Sequence, residues 1–203
     1  MRLAVVLLAL AQPAAGQGDA ASEWLDAWSR CRLAVENGHP PRTGDLMRGT
    51  SEDALAFETA PQHIDFDGMK FEVHGGRRAP DEIWRSSNGN FWLMTWSRDD
   101  DSGASRSCDV HPVAPLGEQD REAIKAAFMT QREALMADGT HEALDLPPIP
   151  PIELLGVGLI ARNPAGSCTA STLAYDETSG WLSSGSGEQL EAICWRRQEA
   201  RPK

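Results

Sequence analysis

The chain has 203 residues, with 30 Asp and Glu against 19 Lys and Arg, giving a formal net charge of −11. So acidic a chain is not drawn to nucleic acid or to an anionic membrane surface, and its negative field suits a basic partner or simply keeps it in solution. The length allows one domain or two small ones and a core that does not depend on staples.

The N-terminus reads Met1-Arg2, then an apolar run over residues 3–11, then Ala14-Ala15-Gly16-Gln17. One basic residue, a short apolar stretch and a small-residue cleavage region describe a secretory signal peptide over residues 1–17. The run is too short to span a bilayer, and Pro13 and Gly16 oppose its continuation as a buried helix. The expectation is a periplasmic or secreted protein that begins near Gln17, with no membrane insertion after processing. Losing Arg2 would move the charge from −11 to −12. What remains reads as one α+β domain over 18–195, with halves 18–115 and 116–195, and a polar tail over 196–203.

Four cysteines, Cys31, Cys108, Cys168 and Cys194, lie beyond the signal. An even count in an exported chain suggests two disulfides. Three connectivities are open, and Cys31–Cys108 with Cys168–Cys194 is favoured because each pair ties one half of the chain. No Cys-x-x-Cys is present, so the redox and zinc-ribbon signatures are missing. Cys108-x-x-His111 would point to opposite faces of a strand.

In chain order, residues 22–37 predict a helix capped by Ser22, with Trp24, Trp28, Cys31 and Val35 as its apolar stripe and Asn37-Gly38 as its stop. The two tryptophans read as core residues before ligand contacts. Residues 53–59 fit a short helical turn or an edge strand. Ile64 and Phe66, then Met69, Phe71 and Val73, alternate with polar residues around Asp67-Gly68, a hairpin signal. His63, Asp65 and Asp67 could share a metal on one strand face, but alternation favours the solvent side of a half-buried hairpin. Ile83-Trp84-Arg85 is a short strand, and Asn88-Gly89 turns into Phe91 to Trp96, apolar on both faces. A strand of that kind belongs inside a covered sheet. Asp99 to Gly103 reads as the reversing loop; it resembles part of a calcium loop without the distal glutamate and flanking helices. Residues 64–113 thus read as a meander of about five antiparallel strands.

Residues 118–137 predict the second main helix, with Ile124, Ala127, Phe128, Ala134 and Leu135 inward and alternating charges outward. Pro147 to Pro151 must be extended, as a stiff connector or a segment for a proline-reading partner. Residues 154–161, 167–175 and 181–184 read as strands, 185–187 as flexible, and 189–195 as a short helix. Arg98 to Cys108 and Arg162 to Cys168 both run from a strand end through a turn into Ser-Cys, the trace of a degenerate two-half repeat. The fold expected is an antiparallel meander packed by two main helices.

Residues 31–38 (Cys-Arg-Leu-Ala-Val-Glu-Asn-Gly), Ser107-Cys108-Asp109-Val110 and residues 162–168 (Arg-Asn-Pro-Ala-Gly-Ser-Cys) resemble small uncharacterised exported, periplasmic proteins of alphaproteobacteria. The resemblance implies compartment and disulfides and carries no activity.

Catalytic signatures are missing. Ser184-Gly185-Ser186-Gly187 lacks the leading glycine of a nucleophile elbow, and neither a phosphate loop nor His-Glu-x-x-His occurs. No cofactor and no metal are expected, and the sequence selects no catalytic residue. Two readings remain: a non-enzymatic module binding a protein, peptide or small ligand, and a hydrolase whose site is assembled from distant residues. A deep cleft lined by a hydrogen-bonded histidine with Asp or Ser would favour the second.

Overall fold

The structure, a computed structural model, describes residues 17–59, 61–66, 69–74, 79–100, 103–145, 155–162, 168–176 and 181–189. The N-terminal run, the Pro147 to Pro151 segment, Cys194 and the tail lie outside the described residues.

Helix α1 (Gln17–Asn37) packs along helix α3 (Glu118–Ala137) and across the middle of the main sheet. Gln17 to Ala21 are already helical, so Ser22 lies inside the helix and does not cap it; Ala20 and Ala21 are good helix formers. Trp24, Trp28, Cys31 and Val35 are all buried on the stripe their spacing predicts. At its end Gly38 takes φ +66°, and the amides of Gly38 and His39 return to the carbonyls of Val35 and Ala34 at 3.2 and 2.9 Å. This Schellman closure satisfies the last carbonyls and sends the chain sideways into Pro40-Pro41.

The strands are β1 (Met47–Arg48), β2 (Pro61–Phe66), β3 (Met69–His74), β4 (Glu82–Arg85), β5 (Phe91–Asp100), β6 (Gly103–Pro112), β7 (His141–Asp145), β8 (Leu155–Arg162), β9 (Cys168–Asp176) and β10 (Trp181–Gln189), with α2 (Ser51–Thr59) between β1 and β2. Eight form one antiparallel sheet in the order β1-β4-β5-β6-β10-β9-β8-β7. The fold is therefore α+β with an antiparallel sheet packed by helices. Residues 53–59 resolve as helix, within α2. Thr50 and Asp53 form a reciprocal capping box at its start: the Asp53 carboxylate takes the Thr50 amide at 2.8 Å, and the Thr50 hydroxyl takes the Asp53 amide at 3.2 Å.

The strand β5 is covered on both faces, as its composition requires. Phe91 and Leu93 join Trp24, Trp28, Cys108, Val110, Phe128, Leu159 and Leu173 in the main core under α1 and α3. Trp92 and Met94 join Phe57 of α2 and Ile83 on the other face. Trp28 stacks on Trp24 with centroids 5.8 Å apart and meets the edge of Phe128 at 5.2 Å, so both tryptophans are core residues.

Four expectations are corrected. The hairpin β2–β3 has the register expected around Asp67-Gly68, but it forms a separate two-stranded sheet and not part of the meander. Alternation fixes which face of a strand is buried; it does not name the neighbouring strand. Asp99, Asp100 and Gly103 are strand residues and not loop, with Asp100 paired to Gly103, and residues 101–102 lie outside the described residues. Residues 190–195 of the expected short helix lie outside the described residues, whereas residues 185–187 are paired within β10, which runs on through Gln189. Their alternation is functional in packing: Ser184 accepts a hydrogen bond from Trp24 Nε1 at 3.1 Å, and the Ser186 and Ser171 hydroxyls pair at 2.8 Å. A β-carbon at Gly185, on the opposite face, would collide with the Asp109 carboxylate. Lastly, the Ser-Cys echo falls on the β5–β6 and β8–β9 turns. By sheet order, β5–β6 corresponds to β9–β10, so the echo does not trace the two halves.

Candidate functional site

Cys31 of α1 and Cys108 of β6 form a disulfide with Cα atoms 5.1 Å apart, pinning the helix to the sheet as the buried stripe suggested. Cys168 is buried at the start of β9, and its expected partner Cys194 lies outside the described residues. Among the described residues no cysteine is free, and no group of three or more His, Cys, Asp or Glu side chains is placed to hold a metal. Cys108 packs on the α1 side and His111 on the α2 side against Phe57, the opposite-face arrangement expected for that spacing.

Several polar groups are used up in joints between elements. Glu23 of α1 accepts the Ser86 hydroxyl, the Asn88 amide at 2.9 Å and Asn90 Nδ2 at 2.7 Å, holding the β4–β5 turn in which Gly89 takes φ +80°. Asp53 receives Arg85 Nε at 2.8 Å and Trp92 Nε1 at 3.1 Å besides its cap bonds. Burial alone would raise this carboxyl, but the Thr50 amide, Arg85 and Trp92 outweigh it and hold it well below the usual carboxylate range.

At the far edge of the sheet, His141 of β7 meets Glu36 of α1 through Nε2 at 2.9 Å and the Thr140 hydroxyl through Nδ1 at 2.8 Å. Arg32 donates to Glu36 at 2.7 Å. Burial would raise the Glu36 carboxyl; the His141 hydrogen bond and the Arg32 charge instead lower it. The order hydroxyl–imidazole–carboxylate is that of a catalytic triad. A general base must, however, meet a substrate, and the His141 side chain is only 5% exposed. The Thr140 hydroxyl also lies 3.4 Å from the Leu135 carbonyl at the end of α3. This set is a joint between α1 and β7.

Asp109 and His111 lie on one face of β6 with carboxylate and imidazole 4.0 Å apart. Burial pushes the Asp109 carboxyl up to about 7. About 34% of its side-chain surface stays accessible, so water offsets part of that burial.

A different region keeps polar capacity in reserve. A cleft of about 420 Å³ opens between the end of α1 with its following loop and the β4–β5–β6 part of the sheet. Ala34, Val35, Pro40 and Pro41 supply its apolar wall, and Thr95, Ser97 and the disulfide-bonded Cys108 its base. Asp81 and Glu82 enter from the β4 side, His39 and Arg106 from the loop and β6. The Schellman turn places Gly38 so that its carbonyl receives Arg106 Nη1, which orients the guanidinium. Asp81 accepts the Ser97 hydroxyl at 2.6 Å and is held over the end of β4. Among the described residues the side chains of His39 and Glu82 make no hydrogen bond or ion pair. None of the His141, Glu36 and Arg32 joint lines this cleft.

Sequence reasoning did not select any of these cleft residues except Cys108. Its contributors come from four separate segments with no local motif. The one usable signal was His39-Pro40-Pro41 directly after a glycine helix stop, which forces an irregular polar loop against the sheet. No protein-family model, curated protein or solved structure matches the chain.

Proposed function

We propose that the protein is a non-enzymatic, exported binding module, stabilised by disulfides, whose ligand site is the cleft between α1 and β4–β6. The observation that carries this reading is the cleft itself. Its volume of about 420 Å³ falls in the range of ligand pockets, and an apolar wall with a few oriented polar groups is the usual composition of such sites. The histidine hydrogen-bonded to a carboxylate and a hydroxyl, which a hydrolase would place in its cleft, is elsewhere and buried. Export is supported by the signal-like N-terminus and by the Cys31–Cys108 disulfide, which persists in oxidising compartments. The pairing Cys168–Cys194 belongs to the same proposal.

Ligand-observed NMR with a library of small apolar fragments tests it. Fragments should bind the native protein and lose binding in Thr95→Trp, which fills the base of the cleft with a residue strands accept. Equal binding to both proteins would contradict the assignment, as would turnover of a simple ester that depends on His141.

A further inference from the structure

The cleft carries charge of opposite sign at its two ends, and this bears on what it binds. β4, β5 and β6 are consecutive in the sheet, with Glu82 level with Thr95 and Arg106 level with Ser97. Two strand spacings across the sheet and two residues along it separate Glu82 of β4 from Arg106 of β6, roughly 12 Å between their backbone positions. Among the described residues the Glu82 side chain has no hydrogen-bond or ion-pair partner, and Arg106 has spent one of its donors on the Gly38 carbonyl. Between these ends lie the apolar side chains of Ala34, Val35, Pro40 and Pro41. Asp81 is already bonded to Ser97; among the described residues the Glu82 and Arg106 side chains do not meet each other, so they can meet a ligand.

We propose that the cleft binds a short unblocked peptide, its ammonium group at Asp81 and Glu82, its carboxylate at Arg106, and an apolar side chain against the proline wall. The inference rests on the binding reading above and adds the ligand class. An extended chain of three residues spans at most about 10–11 Å, and the Glu82 and Arg106 side chains, which both line the cleft, cover the remainder. A longer peptide with internal charges in place of termini would have to supply both signs at that spacing. Arg106 fits the carboxylate end because its planar fork pairs with carboxylates in two-point fashion, and its bond to Gly38 fixes the plane of that fork beforehand. Both charged ends are open to water, so each contributes modestly and is weakened by salt.

Isothermal titration with the tripeptide Ala-Leu-Ala tests this, beside its N-acetyl and C-amide forms. At low ionic strength each blocked form should bind about 5- to 10-fold more weakly than the free tripeptide. In Arg106→Gln the amide and the free acid should bind alike, while the acetyl penalty persists. In Glu82→Gln the acetyl penalty should shrink while the amide penalty persists. Both side chains are on the surface, and an unchanged Tm shows that the variants fold. The proposal is overturned if the free tripeptide does not bind, if blocking a terminus has no effect, or if the penalties survive unchanged in both variants. Failure of the tripeptide alongside fragment binding that Thr95→Trp abolishes would overturn the peptide assignment and leave the cleft as a binding site.

Discussion

The joint at the β7 edge and the cleft at the β4 end hold the same residue types and use them in opposite ways. At the joint, Arg32, Glu36, His141 and Thr140 bond to one another, and only the Arg32 Nε is left without a partner. At the cleft, among the described residues, the side chains of His39 and Glu82 bond to nothing and that of Arg106 makes a single hydrogen bond, to a backbone carbonyl. Buried polar groups must be paired, because an unpaired one costs its full hydration. Charged groups beside an apolar cleft need no such pairing while water reaches them. A histidine within hydrogen-bond distance of a carboxylate is therefore the structural element here, and the unpaired charges mark the place where an outside molecule can complete the set.

The comparison breaks most visibly through the bond common to the core and the cleft. The Cys31–Cys108 disulfide spans 77 residues of sequence, for which the chain-entropy model assigns about 4–5 kcal/mol. Replacing both cysteines by Ala should lower the melting temperature by about 10–15 °C in a thermal scan and weaken fragment binding as well, since Cys108 forms part of the cleft base. A change of less than a few degrees would mean that the helix is held by packing alone.

Substitutions at the joints should cost stability and leave the cleft intact. Asp53→Ala strands Arg85, Trp92 Nε1 and the Thr50 amide, at a cost of about 3–4 kcal/mol by denaturant unfolding. The same joints set the response to acid. Asp53 and Glu36 titrate below their ordinary values in the folded state, so the stability they contribute is complete above the unfolded carboxylate range near pH 4. It is lost as pH falls through their lower folded values. Urea midpoints measured at successive pH values should fall below about pH 4, and less steeply in Asp53→Asn.

Asp109 has the opposite sign. Its folded carboxyl is raised to about 7, so its contribution is complete below about pH 4 and is lost as pH rises toward 7. Asp109→Asn should melt about 2–4 °C higher than the native protein at pH 8 and close to it at pH 4. The smallest effect is expected at the cleft: Arg106→Gln and Glu82→Gln should each change stability by no more than about 0.5 kcal/mol. A loss as large as that at Asp53 would make the cleft charges structural and remove the contrast.

How much of this was legible in the sequence follows from the range of each signal. The stripe of Trp24, Trp28, Cys31 and Val35 and the limits of α3 are written in local periodicity, and both appear as read. The Cys31–Cys108 pair followed from that stripe meeting the central hairpin. Gly185 to Gly187, following the strand expected to end at Ser184, looked flexible because small polar residues usually are. The hydroxyls are there to meet Trp24 and Ser171, and the glycine to clear Asp109, three partners far away in the chain. The detachment of β2–β3 was hidden for the same reason, since a strand's neighbour is set by the whole sheet. The cleft was the least legible feature. It depends on which side chains remain unpaired after folding, and that is a property of the assembled structure.

The most direct test of the central claim is amide chemical-shift mapping of the labelled protein during titration with an apolar fragment that binds it. Shifts should concentrate at Ala34, Val35, His39, Thr95, Arg106 and Cys108, the residues around the cleft, and stay small at Glu36, Thr140 and His141. Shifts centred on His141 with a quiet cleft would contradict the account and return the far-edge joint as the site.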